Sequence, residues 1–280
     1  MVGRRVCGLR RYIECAYVWY VKSQEHPGKL RVERILRRML KLDAVWASTL
    51  TGVRLRLMPD DFVQFQILRY GVYEPLTLKL LRRLAKGARC VLDIGAHIGS
   101  IAIDLSSIIS EKGVIVAVEA NPTVFVELLA NIQENNANNV VPVLGVADAT
   151  ASMVELHVPK NRNWGQARIG SEPKDAITFN VFSQRLDSVL EQLKVETIDL
   201  MKVDVEGAEL RVLKGLLEGG AYRPRHIILE HEPTVFDEAK ECIRYLEKMG
   251  YVLRTVDGAP FIEGAVAPES NIWAKLGVKL

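Results

Sequence analysis

From Cys90 onward the chain alternates short apolar runs with longer stretches whose apolar residues recur every three or four positions. The short runs read as buried strands and the periodic stretches as amphipathic helices. The pattern predicts strands at 90–94, 114–118, 140–144, 198–203 and 226–231. It predicts helices at 99–110, 122–135, 187–194, 207–217 and 234–249. Strands separated by helical patterns form a parallel sheet with right-handed crossovers. Tyr251 to Leu253 and Asn271 to Leu276 close the chain as an antiparallel pair. Between the third and fourth strands lies an insertion, Ala151 to Val181. It holds two added strands, Met153 to Val158 and Ile177 to Val181, and a polar loop, Asn161 to Gln166. That loop is either a lid or a plain surface loop.

Ahead of the alternation, Leu9 to Val21 and Leu30 to Leu42 carry helical periodicity and are separated by His26-Pro27-Gly28. In Thr51 to Met58, Val53, Leu55 and Leu57 alternate with Arg54 and Arg56, as in a strand with one wet face. Phe62 to Tyr70 and Pro75 to Leu84 read as helices. The expected division is a basic helical extension, 1–48, followed by an α/β domain, 49–280.

Charge sharpens this division. The net charge of +3 is the sum of about +8 over Met1 to Lys41 and about −5 over the remainder. The basic arm suits nucleic acid, anionic lipid or an acidic protein, or is simply a solvated helix face. Its aromatic cluster, Tyr12, Tyr17, Trp19 and Tyr20, suits packing on the parent domain or a second subunit, and a homodimer through these helices is one expectation. Cys7, Cys15, Cys90 and Cys242 form no CxxC pair and no zinc spacing, a pattern of a reducing compartment. No apolar run approaches the ~20 residues that span a bilayer. The start imitates a signal peptide, but Glu14 interrupts its apolar part and no small-residue cleavage site follows. A cytoplasmic location is expected.

The densest chemistry lies in Cys90 to Gly99, CVLDIGAHIG. An apolar run ends in Asp93, a glycine turn follows, and a helix begins. About 25 residues later the next strand ends in Glu119. A dinucleotide fingerprint would want G-x-G-x-x-G. Here Gly95 and Gly99 are separated by three residues, with His97 between them. That spacing fits the first motif of S-adenosylmethionine methyltransferases better. Glu119 can accept both ribose hydroxyl protons, and Asp93 can hold the turn and the ammonium end of the methionine part. Asp93, Glu119, Asp204 and Glu230 all end strands, where open α/β sheets bind ligands.

Asp93 to Gly99 (DIGAHIG), Val118 to Pro122 (VEANP), Tyr73-Glu74-Pro75 and Ile198 to Glu209 (IDLMKVDVEGAE) together resemble the FkbM-type methyltransferases. The resemblance covers about Asp61 to His231. It implies a Rossmann-like seven-stranded sheet with helices on both faces, with S-adenosylmethionine as cofactor. It also implies O-methylation of a hydroxyl on a sugar, glycan or small natural product. By the same resemblance Glu74, Asp93, Gly95, Ala96, His97, Gly99, Glu119, Ala120, Asn121, Ala147, Asp148 and Asp204 contact the cofactor. Asp204 and Glu206 face the methyl group and acceptor. The family usually carries Asn where this chain has His97.

A hydroxyl acceptor is a weak acid, so a base must act as the C–O bond forms. Asp204, Glu206 and His231 are the candidates. A divalent metal held by Asp204 and Glu230 is an alternative route to the same end, though no His/Asp spacing marks a metal site. RNA methylation through the basic arm is the second function considered. A cofactor-binding protein without catalysis is the third.

Overall fold

The computed structural model describes residues 2–160, 164–170, 175–231, 239–264 and 267–277. These fall into two compact units. One is Met1–Tyr73 with Asn161–Gly165, the other Glu74–Lys160 with Gln166–Leu280.

The first unit contains α1 (Val2–Lys22), α2 (Lys29–Leu40), β1 (Val45–Ser48), β2 (Arg54–Leu57) and α3 (Phe62–Tyr70). The two strands form an antiparallel hairpin, Leu55 and Leu57 inward as their alternation predicts. Tyr17 is buried and its hydroxyl donates to Glu33 Oε1 at 2.5 Å, tying α1 to α2. Asp61 caps α3 by accepting the Gln64 N–H at 2.9 Å. The other Asp61 oxygen accepts the Trp164 N–H at 3.1 Å. Trp164 thus clusters with this unit; the Asn161, Arg162 and Asn163 part of the polar loop lies outside the described residues.

The second unit carries α4 (Pro75–Ala85), β3 (Cys90–Ile94), α5 (Ser100–Ser106), β4 (Val114–Glu119), α6 (Pro122–Glu134), β5 (Val140–Leu144), β6 (Val146–Ala147) and β7 (Ser152–Pro159). There follow β8 (Arg168–Ile169), β9 (Ala176–Gln184), α7 (Leu186–Gln192), β10 (Leu200–Val203), α8 (Glu209–Leu217), β11 (His226–Glu230), α9 (Ala239–Lys248), β12 (Tyr251–Thr255) and β13 (Asn271–Leu276). Seven strands run in the order β12-β13-β11-β10-β3-β4-β5. β5, β4, β3, β10 and β11 are mutually parallel, and β13 pairs antiparallel with both β11 and β12. The order reverses between β3 and β10, which is where such a sheet opens a crevice at its carboxyl edge. The inserted strands form a separate sheet, β6-β9-β7-β8.

Period-two alternation decides what faces where. Leu92, Ile94, Val116, Val118, Met201, Val203, Ile227 and Leu229 point into the main core with α8 and α9. Their alternates point to the other face, on which α4 packs against β10 and α5 against β4. Asp93, Glu119, Lys202, Asp204 and Glu230 all belong to that second set. A one-residue slip of any strand would send its acid into the apolar core.

Several elements differ from the sequence expectation. α5 ends at Ser106 rather than 110, because Ile108 and Ser110 bond backbone to backbone with Gly87 and Ala88 instead of continuing the helix. α8 starts at Glu209 because Glu206 and Gly207 both have positive φ, at 55° and 98°. β10 starts at Leu200, since Asp199 turns to accept the N–H groups of Arg89 and Cys90. The predicted helix at 234–249 is seen from Ala239; its first turn, with Glu232 before it, lies outside the described residues. Among the described residues no helix is long and apolar enough to cross a membrane.

Candidate active site

The turn after β3 is built by close approach. Gly95 has φ 82°, and a Cβ there would lie 1.8 Å from the Asp204 carbonyl oxygen. The glycine is therefore required by the neighbouring strand end, a reason the sequence did not show. Gly95 and Ala96 both donate their N–H to the Val118 carbonyl at 2.9 Å. Gly99 has φ 84°, and a Cβ there would meet Leu128 Cδ1 at 2.5 Å. His97 sits at φ 52°. That left-handed region is one which Asn and His enter more readily than most residues. His97 thus suits the position where the resemblance leads one to expect Asn. Asn131 Nδ2 donates to the Ile98 carbonyl at 2.9 Å and holds the turn from α6.

Glu119 is locked beside this turn. Its Oε2 accepts the His97 N–H at 2.8 Å, and its Oε1 accepts the Asn121 N–H at 2.7 Å. Asn121 caps α6 through its Oδ1, while its Nδ2 is buried with no hydrogen-bond partner. Asp93 Oδ2 is likewise buried without one. Buried polar atoms are normally paired, so two orphaned atoms on residues at or just beyond two neighbouring strand ends fit a polar ligand. Asp148 is buried and pairs with Arg211 at 3.3 Å. Its backbone carbonyl packs where a Cβ at Gly215 would lie, 2.1 Å away. Ala147 is buried in β6. Ala120 lies between Glu119 and the capping Asn121 and adds its N–H to those stabilising the Glu119 carboxylate.

Around β10 the charges are arranged about one cation. Lys202 is buried and pairs in register with Asp93. Its Nζ donates to Asp204 Oδ2 at 2.6 Å. Burial works against the charged ammonium, but Asp204, Glu74 and Asp93 outweigh it and hold the lysine protonated. Burial also pushes Asp204 upward, and the Lys202 charge and hydrogen bond, with a hydrogen bond from Glu230, outweigh that and keep Asp204 below the usual carboxylate range. Glu230 goes the other way. Burial and its neighbours Asp204, Glu206 and Glu209 push it up to about 10, so it is a neutral carboxylic acid at pH 7.

Burial raises the remaining acids more moderately. Asp93 rises to about 6 and Glu74 to about 7, each against the opposing charge of Lys202. Glu206 rises to about 7 through burial and Asp204, opposed by Arg168 at 3.4 Å. Glu74 starts α4 and accepts from Asn271 Nδ2 at 2.9 Å. Glu209 is structural, accepting the N–H groups of Val205 and Gly207. His231 is buried against the edge of Phe261, ring centroids 5.3 Å apart, and burial lowers its pKa. Among the described residues no group of three His, Cys, Asp or Glu is arranged to hold a metal.

The strand-tip acids named from the sequence are thus brought together, with Lys202 at their centre. Lys202 lies within the Ile198 to Glu209 motif, yet the motif alone does not mark it as a site residue. The available signal was a lone lysine in a strand otherwise fit for complete burial.

These raised carboxyls give a pH expectation. Asp93, Glu74 and Glu206 bind protons more tightly folded than unfolded, where they titrate near 4. Their contribution is therefore fully present below about pH 4 and is lost as pH rises through about 6 to 7. The melting temperature of the ligand-free protein should fall between about pH 5 and 8. A melting temperature that rises across this window would show that the cluster is stable fully ionised.

A parallel sheet reversed at β3/β10, with a glycine turn and acids at both neighbouring tips, defines a Rossmann-like methyltransferase domain. Residues 93–253 match the Methyltransferase FkbM domain, and the chain belongs to that family. Its cofactor is S-adenosylmethionine, and the orphaned Asp93 and Asn121 atoms beside the Glu119 carboxylate fit a ligand with hydroxyl and ammonium groups.

The chain is 29% identical over 191 residues to Methyltransferase sdnD of Sordaria araneosa, covering 58% of this chain and 73% of that one. It is 31% identical over 100 residues to a fibrillarin-like rRNA/tRNA 2'-O-methyltransferase of Pyrobaculum neutrophilum, covering 33% of this chain. The match spans 43% of that relative's length. Among solved structures, an O-methyltransferase from Bacillus cereus in complex with SAH aligns with a TM-score of 0.45 at 18% identity, covering 74% of this chain and 83% of that one.

Replacing Glu119 by Ala should weaken cofactor binding by about 1–3 kcal/mol, because the His97 and Asn121 N–H groups lose their acceptor as the ligand does. Titration calorimetry with S-adenosylhomocysteine measures this, and an unchanged affinity would remove Glu119 from the cofactor site.

Proposed function

We propose that the protein is an S-adenosylmethionine-dependent O-methyltransferase acting on a hydroxyl of a sugar, glycan or small natural product. The observation that carries this reading is the ionised Asp204 at the end of β10, held by Lys202 and flanked by a neutral Glu230. The cofactor supplies a methyl group already activated on a sulfonium sulfur. The protein must then orient an acceptor oxygen and take its proton. Asp204 is the base in this reading. Glu206, carried on a left-handed residue beside Arg168, orients the acceptor. His231, a neutral imidazole near the end of β11, is the third candidate. Glu74, Asp93, Glu119, Asn121 and the Gly95 to Gly99 turn hold the cofactor, and Asp148 closes the adenine side. The free Cys15 and Cys90 support a cytoplasmic setting.

Incubating a cell extract with the enzyme and isotope-labelled cofactor, followed by mass spectrometry, should reveal label on a hydroxyl oxygen of a small or glycan acceptor. Label on amine nitrogen alone would overturn the reading. A ribose 2'-hydroxyl of RNA is the second reading, favoured by the similarity to fibrillarin-like enzymes. It predicts label in the RNA fraction and binding that weakens steeply with salt. Cofactor binding with no label transferred to any fraction would favour the non-catalytic alternative.

A further inference from the structure

The solvent sides of α1 and α2 are unusual for a soluble surface. On α2, Lys29 and Glu33 are buried and Leu36 and Arg37 half-buried. With 3.6 residues per turn, six of the eight exposed positions fall in two stripes, Leu30 and Leu40 lying outside them. Val32, Ile35 and Met39 form one stripe, and Met39 is 74% exposed. Arg31, Arg34 and Arg38 form the next, all exposed and none in an ion pair among the described residues. On α1, Tyr17 and Val21 point inward, and the opposite face presents Tyr12 and Trp19, 77% and 74% exposed. At the start of α2 a cleft of about 640 Å³ is lined by Lys29, Arg31, Arg34 and Arg69, with Glu25 the one acid among its lining residues. Glu25 is already paired with both Lys29 and Arg69.

We infer that α1 and α2 are a docking surface for an anionic phospholipid bilayer. An aliphatic stripe beside an arginine stripe is the arrangement of a helix lying in a membrane interface, apolar side down and cations at the headgroups. Exposed Trp and Tyr suit the same boundary. The alternatives fit less well. RNA would satisfy the arginines but leave Val32, Ile35 and Met39 uncovered. A second copy of the chain would cover the apolar stripe but bring two rows of unpaired arginines together. An anionic bilayer satisfies both stripes at once.

Flotation of the full chain with vesicles tests this. The protein should float with phosphatidylcholine vesicles containing phosphatidylserine and remain below with phosphatidylcholine alone. Each arginine removed should lower partitioning roughly fivefold, so Arg31→Glu, Arg34→Glu and Arg38→Glu combined should abolish flotation. Ile35→Ser with Met39→Ser should also reduce it strongly, which purely electrostatic adhesion would not. Tryptophan fluorescence should shift to the blue on vesicle binding in the unmodified chain and less in Trp19→Phe, which identifies Trp19 among the four tryptophans as the residue entering the bilayer. Wild-type protein that floats with neither vesicle overturns the inference. In that case, RNA binding lost only in the arginine variant assigns the surface to nucleic acid. A doubled mass in light scattering, lost only in the Ile35 and Met39 variant, assigns it to self-association.

Discussion

Asp204→Asn should lower turnover by about 10²–10⁴-fold, the usual loss when a general base is removed. The substitution is informative because it changes little else. Asn keeps the size of Asp and still offers an oxygen to Lys202 Nζ, which lies 2.6 Å from the native carboxylate. Cofactor affinity should change far less than turnover, because the turn and Glu119 lie on β3 and β4. Since Lys202 holds Asp204 below the ordinary carboxylate range, native activity should show no loss of base function near neutrality. Steady-state kinetics with saturating cofactor, once an acceptor is known, measures the split. Near-normal turnover in the variant would remove Asp204 as the base and make Glu206 and His231 the next residues to replace. A large loss of cofactor affinity with unchanged turnover would make Asp204 a cofactor ligand instead.

Lys202→Met should be the most destabilising single change in the domain. Methionine fills the volume but leaves Asp204, Asp93 and Glu74 in a buried site without their cation. Breaking a buried pair by removing one partner costs about 3–5 kcal/mol. The loss should shrink as pH falls, since the carboxyls then take up protons and no longer need compensation. Thermal melts of variant and native protein at about pH 5 and 8 give the comparison. An equal deficit at both values would show that Lys202 matters for its packing rather than its charge.

How much of this was legible in the sequence follows from what each element buries. β3, β4 and β11 read clearly, because parallel strands covered on both faces are continuous apolar runs; β5, at the sheet edge and only partly buried, was legible as a short apolar run between turn residues. The edge strand β1 and the short β6 and β8 were missed, since two to four residues carry no period to detect. The acids at strand tips were found because each ends an apolar run. Their roles were not fully visible. Burial shifts Asp93 and Glu230, with Asp204 beyond β10 adding to both, and Glu74 is held by Asn271, 197 positions away. Lys202 was the main omission. Its charge matters only through three carboxylates that the β3/β10 register and the start of α4 bring to it. The steric need for Gly95 is invisible in the sequence for the same reason. The sequence showed a flexible turn, and only the fold places the Asp204 carbonyl against it.

The central claim is that the acids at the ends of β3 and β4 bind S-adenosylmethionine. Titration calorimetry of the purified chain with S-adenosylhomocysteine and with NAD tests it most directly. The account predicts saturable binding of S-adenosylhomocysteine, weakened by Glu119→Ala, and no heat with NAD. Tight NAD binding with no response to S-adenosylhomocysteine would contradict it.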